Sequence, residues 1–511
     1  MTATEEPGDE LAPAGMPLGS VMTWLAEQAP AAPIVTCDGT TVTRADMEAW
    51  ANRLARVYQQ HGVTQGDMVT IALGNSADFV AAALATWKLG AIPQPVSSKL
   101  PLRERQAIVE LADSRIVVGI EPGEHGEHGE RVCIPTGFVP DPGIDATPLD
   151  EVVSPSWKAP TSGGSTGRPK LIVAGQPGRF DHLALQLFGI AAGKGQLVPG
   201  PLYHNAPFLF ASLGVLAGQH VVLLPRFDAT AALDAIERHR VDIVNLVPTM
   251  MSRILRTIEA AEQTGGRTYD LGSLRRVWHM AAPCPEWLKR AWIDLIGPEK
   301  LFELYGGTEA QAATVIDGTQ WLEHPGSVGK PVTGEMVVLG PDGEALPAGE
   351  VGEIYMRTKG GSSTYRYIGA ETERRGSWES IGDMGRMDDE GFVYLTDRRK
   401  DLILSGGANV YPAEVEGALL EHPAVESCAV IGLPDDDLGQ VVHAVVHLVG
   451  DAGEEELRAH LAERLVRYKQ PRSWELTSEP VRDDAGKVRR SALAGDRAGG
   501  QVTTADPAGH G

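Results

Sequence analysis

Helical and extended patterns alternate along the first part of the chain. Residues 43–62 (TRADMEAWANRLARVYQQHG) begin with a helix-capping threonine and carry apolar residues at helical spacing, and residues 68–75 (MVTIALGN) form a short apolar run typical of a strand. The segment ADFVAAALATWKLGAIPQPV repeats helix, glycine stop and strand. Further apolar runs, HVVLLP, VDIVNLVP and RRVWHMAAP, are separated by helical patterns such as DATAALDAIERHR. This alternation predicts an α/β fold with largely parallel strands.

The pattern changes beyond about residue 330. Short alternating strands (EMVVLG, GEIYMR, GFVYLT) are broken by Gly, Pro and Asp turns, which favours a smaller antiparallel or barrel-like subdomain. After Asp397 the order becomes strand, helix (PAEVEGALLEH), two strands (VESCAVIGLP, VVHAVVHL) and helix (EEELRAHLAERL), which predicts a small α+β domain. Residues 1–17 and 494–511 are rich in small and polar residues, so both are predicted to be disordered.

Composition narrows the class of protein. A chain of 511 residues exceeds what one core usually organises, so two or more domains are expected. The net charge of −23 argues against a nucleic-acid or anionic-membrane partner. The acidic N-terminus does not resemble a signal peptide, and no run approaches ~18 apolar residues. The four cysteines lie far apart without a CxxC pair, which favours a soluble protein of the reducing cytoplasm.

A loop rich in glycine and hydroxyl groups, residues 159–173 (APTSGGSTGRPKLIV), carries the sharpest chemical signal. Hydroxyls, close-approaching backbone N–H groups and one lysine are what phosphate oxygens require. It is not a Walker A loop, because Arg168 and Pro169 stand where glycine and lysine would be needed. The loop also matches GxSxG, so a hydrolase with Ser165 as nucleophile is an alternative, but Pro169 disfavours the helix that such an elbow needs. The phosphate-binding candidates are Thr161, Ser162, Gly163, Gly164, Ser165, Thr166, Gly167 and Lys170.

Eight segments together resemble one known family. They are, in chain order, LATWKLGAIPQPV, PLYHNAPF, AAP before Cys284, ELYGGTEA, VGEIYMR, SIGDMG, TDRRKDLILSGGANVYPAEVE and DDAGKVRR. With the TSGGSTGRPK loop they are similar to the core motifs of the adenylate-forming superfamily of acyl-CoA synthetases, carrier-protein adenylation domains and luciferases. The segments HNAPF and NLVPTM resemble those of bile-acid, steroid and fatty-acid CoA ligases most. Leu171 departs from the family pattern, because it replaces the usual glycine after the loop lysine.

The resemblance implies a domain plan. It comprises an ATP- and acid-binding region over 18–396, with two α/β subdomains and a small β-barrel-like subdomain, then a hinge at 397–400 with Lys400 as the hinge position, and a mobile C-terminal domain over 401–493. It also implies ATP and Mg²⁺ as cofactors and coenzyme A as the acceptor. Rotation about the hinge would bring a second surface to the active site for thiol transfer.

Roles for individual residues follow from the matching motifs. Glu309 is the predicted magnesium ligand, because a carboxylate suits an ion that bridges ATP phosphates. The predicted nucleotide ligands are Tyr305 against adenine, the backbone of Ala281, Ala282 and Pro283, and Asp383 with Arg398 at the ribose or phosphate. Lys487 would stabilise the charge that develops between the substrate carboxylate and the α-phosphate. The remaining candidates are Thr308 beside Glu309, His204 as a gate, Phe208, Val247, Met250, Gly306 and Gly307 around the acyl pocket, and Gly406, Gly407 and Asn409 along the coenzyme A path.

The sequence therefore predicts an AMP-forming acid–thiol ligase. It would adenylate an apolar or aryl carboxylic acid, release pyrophosphate and pass the acyl group to coenzyme A. The alternatives are the same adenylation with a carrier protein or an amine as acceptor, activation of nitrite for diazotisation of aryl amines, and the GxSxG hydrolase. The predicted partners are the small-molecule acid, with a homodimer or a carrier protein as further candidates and neither nucleic acid nor membrane.

Overall fold

The computed structural model describes residues 10–121, 131–163, 169–361, 363–435, 437–483 and 486–498. The helices are α1 (Leu18–Gln28), α2 (Arg44–Gln60), α3 (Ala77–Lys88), α4 (Leu102–Ala112), α5 (His182–Phe188), α6 (Asn205–Leu216), α7 (Ala229–Arg238), α8 (Pro248–Gln263), α9 (Glu286–Ile296), α10 (Gly318–Glu323), α11 (Pro412–Leu420), α12 (Glu454–Ala462) and α13 (Arg490–Ala498). The first fifteen strands are β1 (Pro33–Cys37), β2 (Thr40–Thr43), β3 (Met68–Ile71), β4 (Ile92–Pro95), β5 (Ile116–Val118), β6 (Val132–Ile134), β7 (Thr161–Gly163), β8 (Pro169–Ala174), β9 (Gly195–Val198), β10 (His220–Leu223), β11 (Val241–Leu246), β12 (Arg276–His279), β13 (Leu301–Gly306), β14 (Ala313–Asp317) and β15 (Lys330–Thr333). The others are β16 (Glu335–Leu339), β17 (Gly352–Arg357), β18 (Tyr365–Ile368), β19 (Glu373–Arg375), β20 (Trp378–Met387), β21 (Val393–Arg398), β22 (Ile403–Ser405), β23 (Ala408–Val410), β24 (Val425–Asp435), β25 (Gly439–Leu448) and β26 (Ser473–Thr477).

The chain divides into two compact units. The first comprises Met1–Ala281, Arg290–Met336 and Met356–Glu379, and the second comprises Ala282–Lys289, Val337–Tyr355 and Ser380–Gly511. A five-stranded sheet, β16-β17-β20-β19 with β21 beside β20, is built from the short strands expected beyond residue 330.

In the described part of the chain no helix is long and apolar enough to cross a membrane.

Parallel, antiparallel and mixed sheets organise the first unit. The largest has nine strands in the order β15-β14-β13-β12-β11-β9-β10-β1-β2, with parallel pairing from β13 through β1. A second, four-stranded sheet β4-β3-β5-β6 is parallel throughout. The antiparallel strands β18-β8-β7 form a third sheet. The predicted α/β fold is confirmed.

Local sequence explains where the helices begin. Thr43 accepts a hydrogen bond from the Asp46 amide at the start of α2, and Asp228 accepts one from the Ala231 amide at the start of α7. Such caps satisfy backbone donors that a helix terminus leaves open, at about 1 kcal/mol each. Apolar faces of α1, α2, α3 and α6 then pack into one large core of the first unit.

A largely antiparallel sheet forms the centre of the second unit. Strands β23-β22-β25-β24 lie in this order, with β26 parallel to β25, and α11 and α12 contribute Val415, Leu419, Leu457 and Leu461 to its core. The predicted order of strand, helix, two strands and helix is confirmed for this region.

The described residues of both segments that were predicted to be disordered are ordered. The prediction that residues 494–511 are disordered is wrong for 494–498, which complete α13, because Arg497 forms two 2.6 Å contacts with Glu475. At the other end, residues 10–17 are held by Ala12, which is fully buried, and by the Gly15 amide, which donates to the Phe180 carbonyl at 2.8 Å. Distant contacts therefore order segments whose own composition is polar.

Candidate active site

The glycine-rich loop connects two antiparallel strands. In this hairpin Thr161 pairs with Leu171, and Gly163 pairs with Pro169. The predicted phosphate ligands Gly164, Ser165, Thr166 and Gly167 lie outside the described residues. Residues Pro169–Ala174 form a strand, whereas the helix that follows the serine of a nucleophile elbow would extend through them, which argues against the hydrolase.

A buried polar chain positions the first residue of this loop. Gln94 donates to the Thr161 hydroxyl at 2.7 Å and accepts from Thr70 at 2.7 Å, and Thr70 contacts Ser114 at 2.6 Å. Thr70 and Gln94 are fully buried. Because buried polar groups must be hydrogen-bonded, this chain fixes the rotamer of Gln94 and with it the position of Thr161.

Glu309 lies at the centre of a charged cluster. Its carboxylate accepts a 2.5 Å hydrogen bond from the Tyr367 hydroxyl and lies 3.7 Å from Lys170 Nζ. Lys170 Nζ also lies 3.9 Å from the centre of the Tyr367 ring. Burial, reinforced by the Glu309 carboxylate, raises the pKa of Tyr367 well above its ordinary value, so its hydroxyl stays a donor. The structure thus brings together two predicted site residues, Lys170 and Glu309.

The donor chemistry around Glu309 fits magnesium. Mg²⁺ prefers oxygen ligands and is usually bound by one or two carboxylates together with phosphates and water. Glu309 is only 6% exposed, yet its Oε1 faces a cation in Lys170. Among the described residues no group of three or more His, Cys, Asp and Glu could hold a metal alone. A single carboxylate shared with nucleotide phosphates is consistent with both observations.

Strained backbone marks the carboxyl ends of two neighbouring parallel strands. Ala281, shortly after β12, has φ of 74°, and Ala310, directly after Glu309, has φ of 55°. Non-glycine residues adopt this region at a cost of about 1–3 kcal/mol, and such residues concentrate at functional sites. Tyr305 is near the end of β13 and pairs with Thr314. These are the positions at which open α/β sheets bind ligands.

Asn75, which is far from His204 in the sequence, holds the segment that precedes His204. Asn75 donates to the carbonyls of Gly200 and Leu224 at 2.8 and 2.9 Å and accepts from the Leu202 amide at 2.8 Å. These bonds hold the segment that leads into His204, the residue preceding α6.

The predicted acyl-pocket residues differ in their surroundings. Met250 Cε lies 3.8 Å from where a Cβ on Gly200 would be. Phe208 is 2% exposed, and its ring lies 6.0 Å from Trp157 and 6.1 Å from both Phe79 and Trp87, inside the core. Val247 is half-buried at the start of α8, and Gly306 ends β13 ahead of Gly307 and Thr308.

Lys158 is a buried cation that the motifs did not predict. The residue is 5% exposed, its Nζ hydrogen-bonds Asn205 Oδ1 and lies 4.1 Å from the centre of the Trp157 ring. Burial lowers its pKa to about 7, an effect that the Glu309 carboxylate opposes. The one signal in the sequence is a lysine within WKAP, directly before the glycine-rich loop.

In the second unit, the two predicted ribose residues lie together. Asp383 on β20 is 8% exposed and faces Arg398 of β21, with 3.2 Å between Oδ1 and Nε. The backbones of the two residues are also paired across the strands. The cation beside the buried Asp383 carboxylate, Arg398, is itself exposed.

Lys487 lies on a short turn that is tied to the core of the second unit. Its amide donates to Asp483 Oδ1 at 2.9 Å, while its side chain is exposed. Arg482 donates to the Gly486 carbonyl at 2.9 Å and forms a 2.6 Å ion pair with Glu416. The largely buried Glu416 thus anchors, through Arg482, the backbone that carries Lys487.

The predicted hinge and coenzyme A residues lie at turns. Lys400 is an exposed residue of the short 3-10 turn Arg399–Asp401. Gly406 and Gly407 form the tip of the β22–β23 hairpin with φ of 57° and 80°, and Asn409 pairs with Leu404. The two positive φ values explain the glycines, since a tight hairpin of this kind needs them for backbone reasons alone.

Comparison with known proteins identifies the family. The model of the AMP-binding enzyme family matches residues 22–366, and that of the AMP-binding enzyme C-terminal domain matches residues 414–487. The chain belongs to the AMP-binding enzymes.

Similar AMP-binding enzymes cover nearly the whole chain. A feruloyl-CoA synthase from an Amycolatopsis species is 34% identical over 500 residues, covering 93% of this chain and 98% of its own. The o-succinylbenzoate CoA synthetase of Bacillus subtilis, solved with its acyl-adenylate intermediate, has a TM-score of 0.78 at 29% identity, covering 93% and 97%. The same enzyme solved with ATP and magnesium ion has a TM-score of 0.77 at 28% identity, covering 93% and 99%. These likenesses confirm the predictions of an AMP-forming acid–thiol ligase that uses ATP, Mg²⁺ and coenzyme A.

Four residues that contact or neighbour predicted site residues were not revealed by the motifs: Asn75, Gln94, Lys158 and Tyr367. Each acts through a partner far along the chain, and none carries a local chemical pattern. Sequence reasoning found the charged groups of the motifs but not the residues that hold them.

The lowered pKa of Lys158 gives the fold a defined pH dependence. An unfolded lysine keeps its proton up to about pH 10, whereas Lys158 loses it at about pH 7 in the folded protein. Between these values the unfolded state binds more protons, so stability rises with pH, by at most ~1.4 kcal/mol per unit. We expect Lys158→Met to remove this rise from the unfolding free energy measured in urea between about pH 7 and pH 9.5. The exposed Lys194→Met is the control, and an unchanged slope in Lys158→Met would contradict the assignment.

Proposed function

We propose that this AMP-binding enzyme activates an aryl or apolar carboxylic acid and that Glu309 is its magnesium ligand. The observation that carries the proposal is the buried Glu309 carboxylate, held by Tyr367 and facing Lys170 beside the hairpin of the glycine-rich loop. This cluster combines an oxygen ligand for a hard cation with a positive charge for phosphate. When bound, Mg²⁺ neutralises phosphate charge and orients the ATP phosphates.

The nucleotide is proposed to be held by residues of the motifs. Backbone N–H groups and hydroxyls of the loop from Thr161 to Lys170 would bind phosphate oxygens. Tyr305 would stack on adenine, with the backbone of residues 281–283 beside it. Asp383 would accept hydrogen bonds from both ribose hydroxyls, since an ionised carboxylate is an acceptor with two oxygens, and Arg398 would help fix the ribose or a phosphate.

The chemistry needs no protein nucleophile. A carboxylate oxygen of the acid attacks the α-phosphorus of ATP, the bond to the bridging oxygen breaks, and pyrophosphate leaves with the electron pair. Lys487 is proposed to stabilise the negative charge of this transition state through its exposed ammonium. The protein otherwise contributes to the rate by orienting the acid and ATP, so that a bimolecular encounter becomes a reaction between groups already in position.

The acid is proposed to be aryl or otherwise apolar. Trp157 and the buried Phe208 form an aromatic cluster near His204, and Met250 with Gly306 and Gly307 would form the wall of the pocket. The similar feruloyl-CoA synthase and o-succinylbenzoate CoA synthetase are named for aryl acids. His204 is proposed to gate the entrance of the pocket.

The acceptor is proposed to be the thiol of coenzyme A. The thiol attacks the acyl carbonyl of the adenylate, AMP leaves, and the thiol proton passes to solvent. Rotation at Lys400 would exchange Lys487 for the hairpin of Gly406 and Gly407, where the absence of side chains lets a pantetheine arm pass the backbone. The free cysteines Cys37, Cys133, Cys284 and Cys428 agree with a cytoplasmic, reducing location.

Pyrophosphate release tests the proposal directly. Release from ATP and Mg²⁺ is measured across a panel of aryl, fatty, steroid and amino acids and nitrite, with and without coenzyme A. We expect release that depends on one class of apolar or aryl acid, with coenzyme A allowing repeated turnover. Acid-dependent release that is insensitive to coenzyme A would move the acceptor to a carrier protein or an amine, and nitrite-dependent release would replace the acid altogether.

A further inference from the structure

Two buried lysines of the first unit differ in how their charge is satisfied. Lys88 Nζ contacts three oxygen acceptors, the Gly19 carbonyl at 3.1 Å, Thr23 Oγ1 at 3.3 Å and Glu48 Oε1 at 2.9 Å. An ammonium has three N–H donors, so Lys88 is fully paired within the helical layer. Lys158 is equally buried, but within the described residues Nζ has one hydrogen-bond acceptor, Asn205 Oδ1. Its charge is otherwise met by the face of Trp157.

Lys158 interacts with residues assigned to both parts of the proposed site. The Glu309 carboxylate, the proposed magnesium ligand, interacts electrostatically with its ammonium. Its aromatic neighbour Trp157 stacks on Phe208, a residue predicted at the acyl pocket, at 6.0 Å with 20° between the ring planes. A carboxylate that attacks the α-phosphate would connect these two parts of the site.

Asn205 adds a second donor at the same place. It is the first residue of α6, directly after His204, and its Oδ1 is occupied by Lys158. The Nδ2 group of the same amide then remains to donate. One ammonium and one amide N–H₂ together match the two oxygens of a carboxylate.

A purely structural role for Lys158, as a counter-ion of Glu309, accounts for fewer of these observations. Glu309 already has a cation at 3.7 Å in Lys170 and a hydrogen bond from Tyr367. Burying a further ammonium without a direct ion pair costs free energy, and the lowered pKa expresses that cost. An anionic ligand offsets it only while the ligand is bound.

We propose that Lys158, assisted by Asn205, binds the carboxylate of the acid substrate and positions it for attack on ATP. This inference rests on the proposed function, which it deepens by naming the anchor of the acid. The anchor recognises the anion that every acid of the class shares, while the proposed acyl pocket selects the remainder of the molecule. The charge exists before adenylation and is lost when the acyl adenylate forms, so Lys158 acts in the first half-reaction alone.

Steady-state kinetics of Lys158→Met test this role, with the acid that gives the fastest pyrophosphate release in the wild-type enzyme. We expect the KM for that acid to rise about 30-fold, the loss typical of a charged hydrogen bond. The KM for ATP and the conversion of supplied acyl adenylate to the thioester should stay within about threefold of wild type. Lys194→Met, which removes an exposed lysine, should leave all three values unchanged.

A second variant keeps the test independent of folding. Asn205→Ala removes the assisting amide and should raise the KM for the acid about fivefold, again without change in the KM for ATP. An unchanged KM for the acid in both variants would overturn the inference, and so would a parallel rise in the KM for ATP, which would assign Lys158 to the nucleotide end. Equal losses in both half-reactions would show a structural role. A wild-type enzyme that releases no pyrophosphate with any acid would overturn the proposed function as well, whereas the other outcomes overturn this inference alone.

Discussion

Glu309→Gln is expected to slow acid-dependent pyrophosphate release about 100- to 1000-fold, the loss seen when one preorganised electrostatic contact is removed. Glutamine keeps an oxygen that can accept the Tyr367 hydrogen bond, so the surrounding contacts persist while the negative charge is lost. Without that charge Lys170 loses its anionic partner, and a bound magnesium ion would lose its proposed ligand. The apparent affinity for Mg²⁺ should fall together with the rate.

The measurement is pyrophosphate release as a function of Mg²⁺ and ATP concentration. Glu323→Gln, an exposed carboxylate on α10, is the matched control and should behave as wild type. Supplied acyl adenylate carries no pyrophosphate, so its conversion to the thioester should stay within about threefold of wild type in Glu309→Gln. If Glu309→Gln kept wild-type release and Mg²⁺ dependence, Glu309 would not be the magnesium ligand.

Lys487→Ala is expected to reduce adenylation by a similar factor, about 100- to 1000-fold, and to spare thioester formation from supplied acyl adenylate. The turn that carries Lys487 is held by the backbone and by Asp483 and Arg482, so truncation of an exposed side chain should leave it intact. The expected loss therefore reports the missing ammonium.

Rates of the two half-reactions, measured separately, check this prediction. Arg489→Ala removes a second exposed cation of the same segment and serves as the control. Equal loss in both half-reactions of Lys487→Ala would contradict a model in which two conformations use different surfaces. That result would also remove the reason to place a hinge at Lys400.

Features set by neighbours in the sequence were predictable. The helix over 43–62 and the strand that follows it appear as α2 and β3, because a capping threonine and apolar periodicity act within a few residues. The strand that begins at Pro169 agrees with the restriction that proline imposes there. The motifs also placed Lys170 and Glu309 in one site, and the structure has them 3.7 Å apart.

Features set by distant partners were not predictable. Tyr367 lies 58 positions from Glu309, Asn205 lies 47 from Lys158, and Arg482 lies 66 from Glu416. No periodicity or motif links residues so far apart, so neither the clamp on Glu309 nor the anchor of the Lys487 turn could be inferred. The overextended tail predictions have the same origin, since Ala12 and Arg497 are ordered by contacts with other parts of the chain.

The sequence by itself determined the order of helices and strands, the family and the chemical type of each motif residue. Those properties depend on periodicity, capping and residue type, which act locally along the chain. Only the tertiary structure decided which charges are buried and which groups satisfy them. Lys158 shows the difference: its side chain is an ordinary lysine in the sequence, and folding turns it into a buried cation whose pKa is about 7. Burial and partner geometry set that value, and both arise only when distant segments pack together.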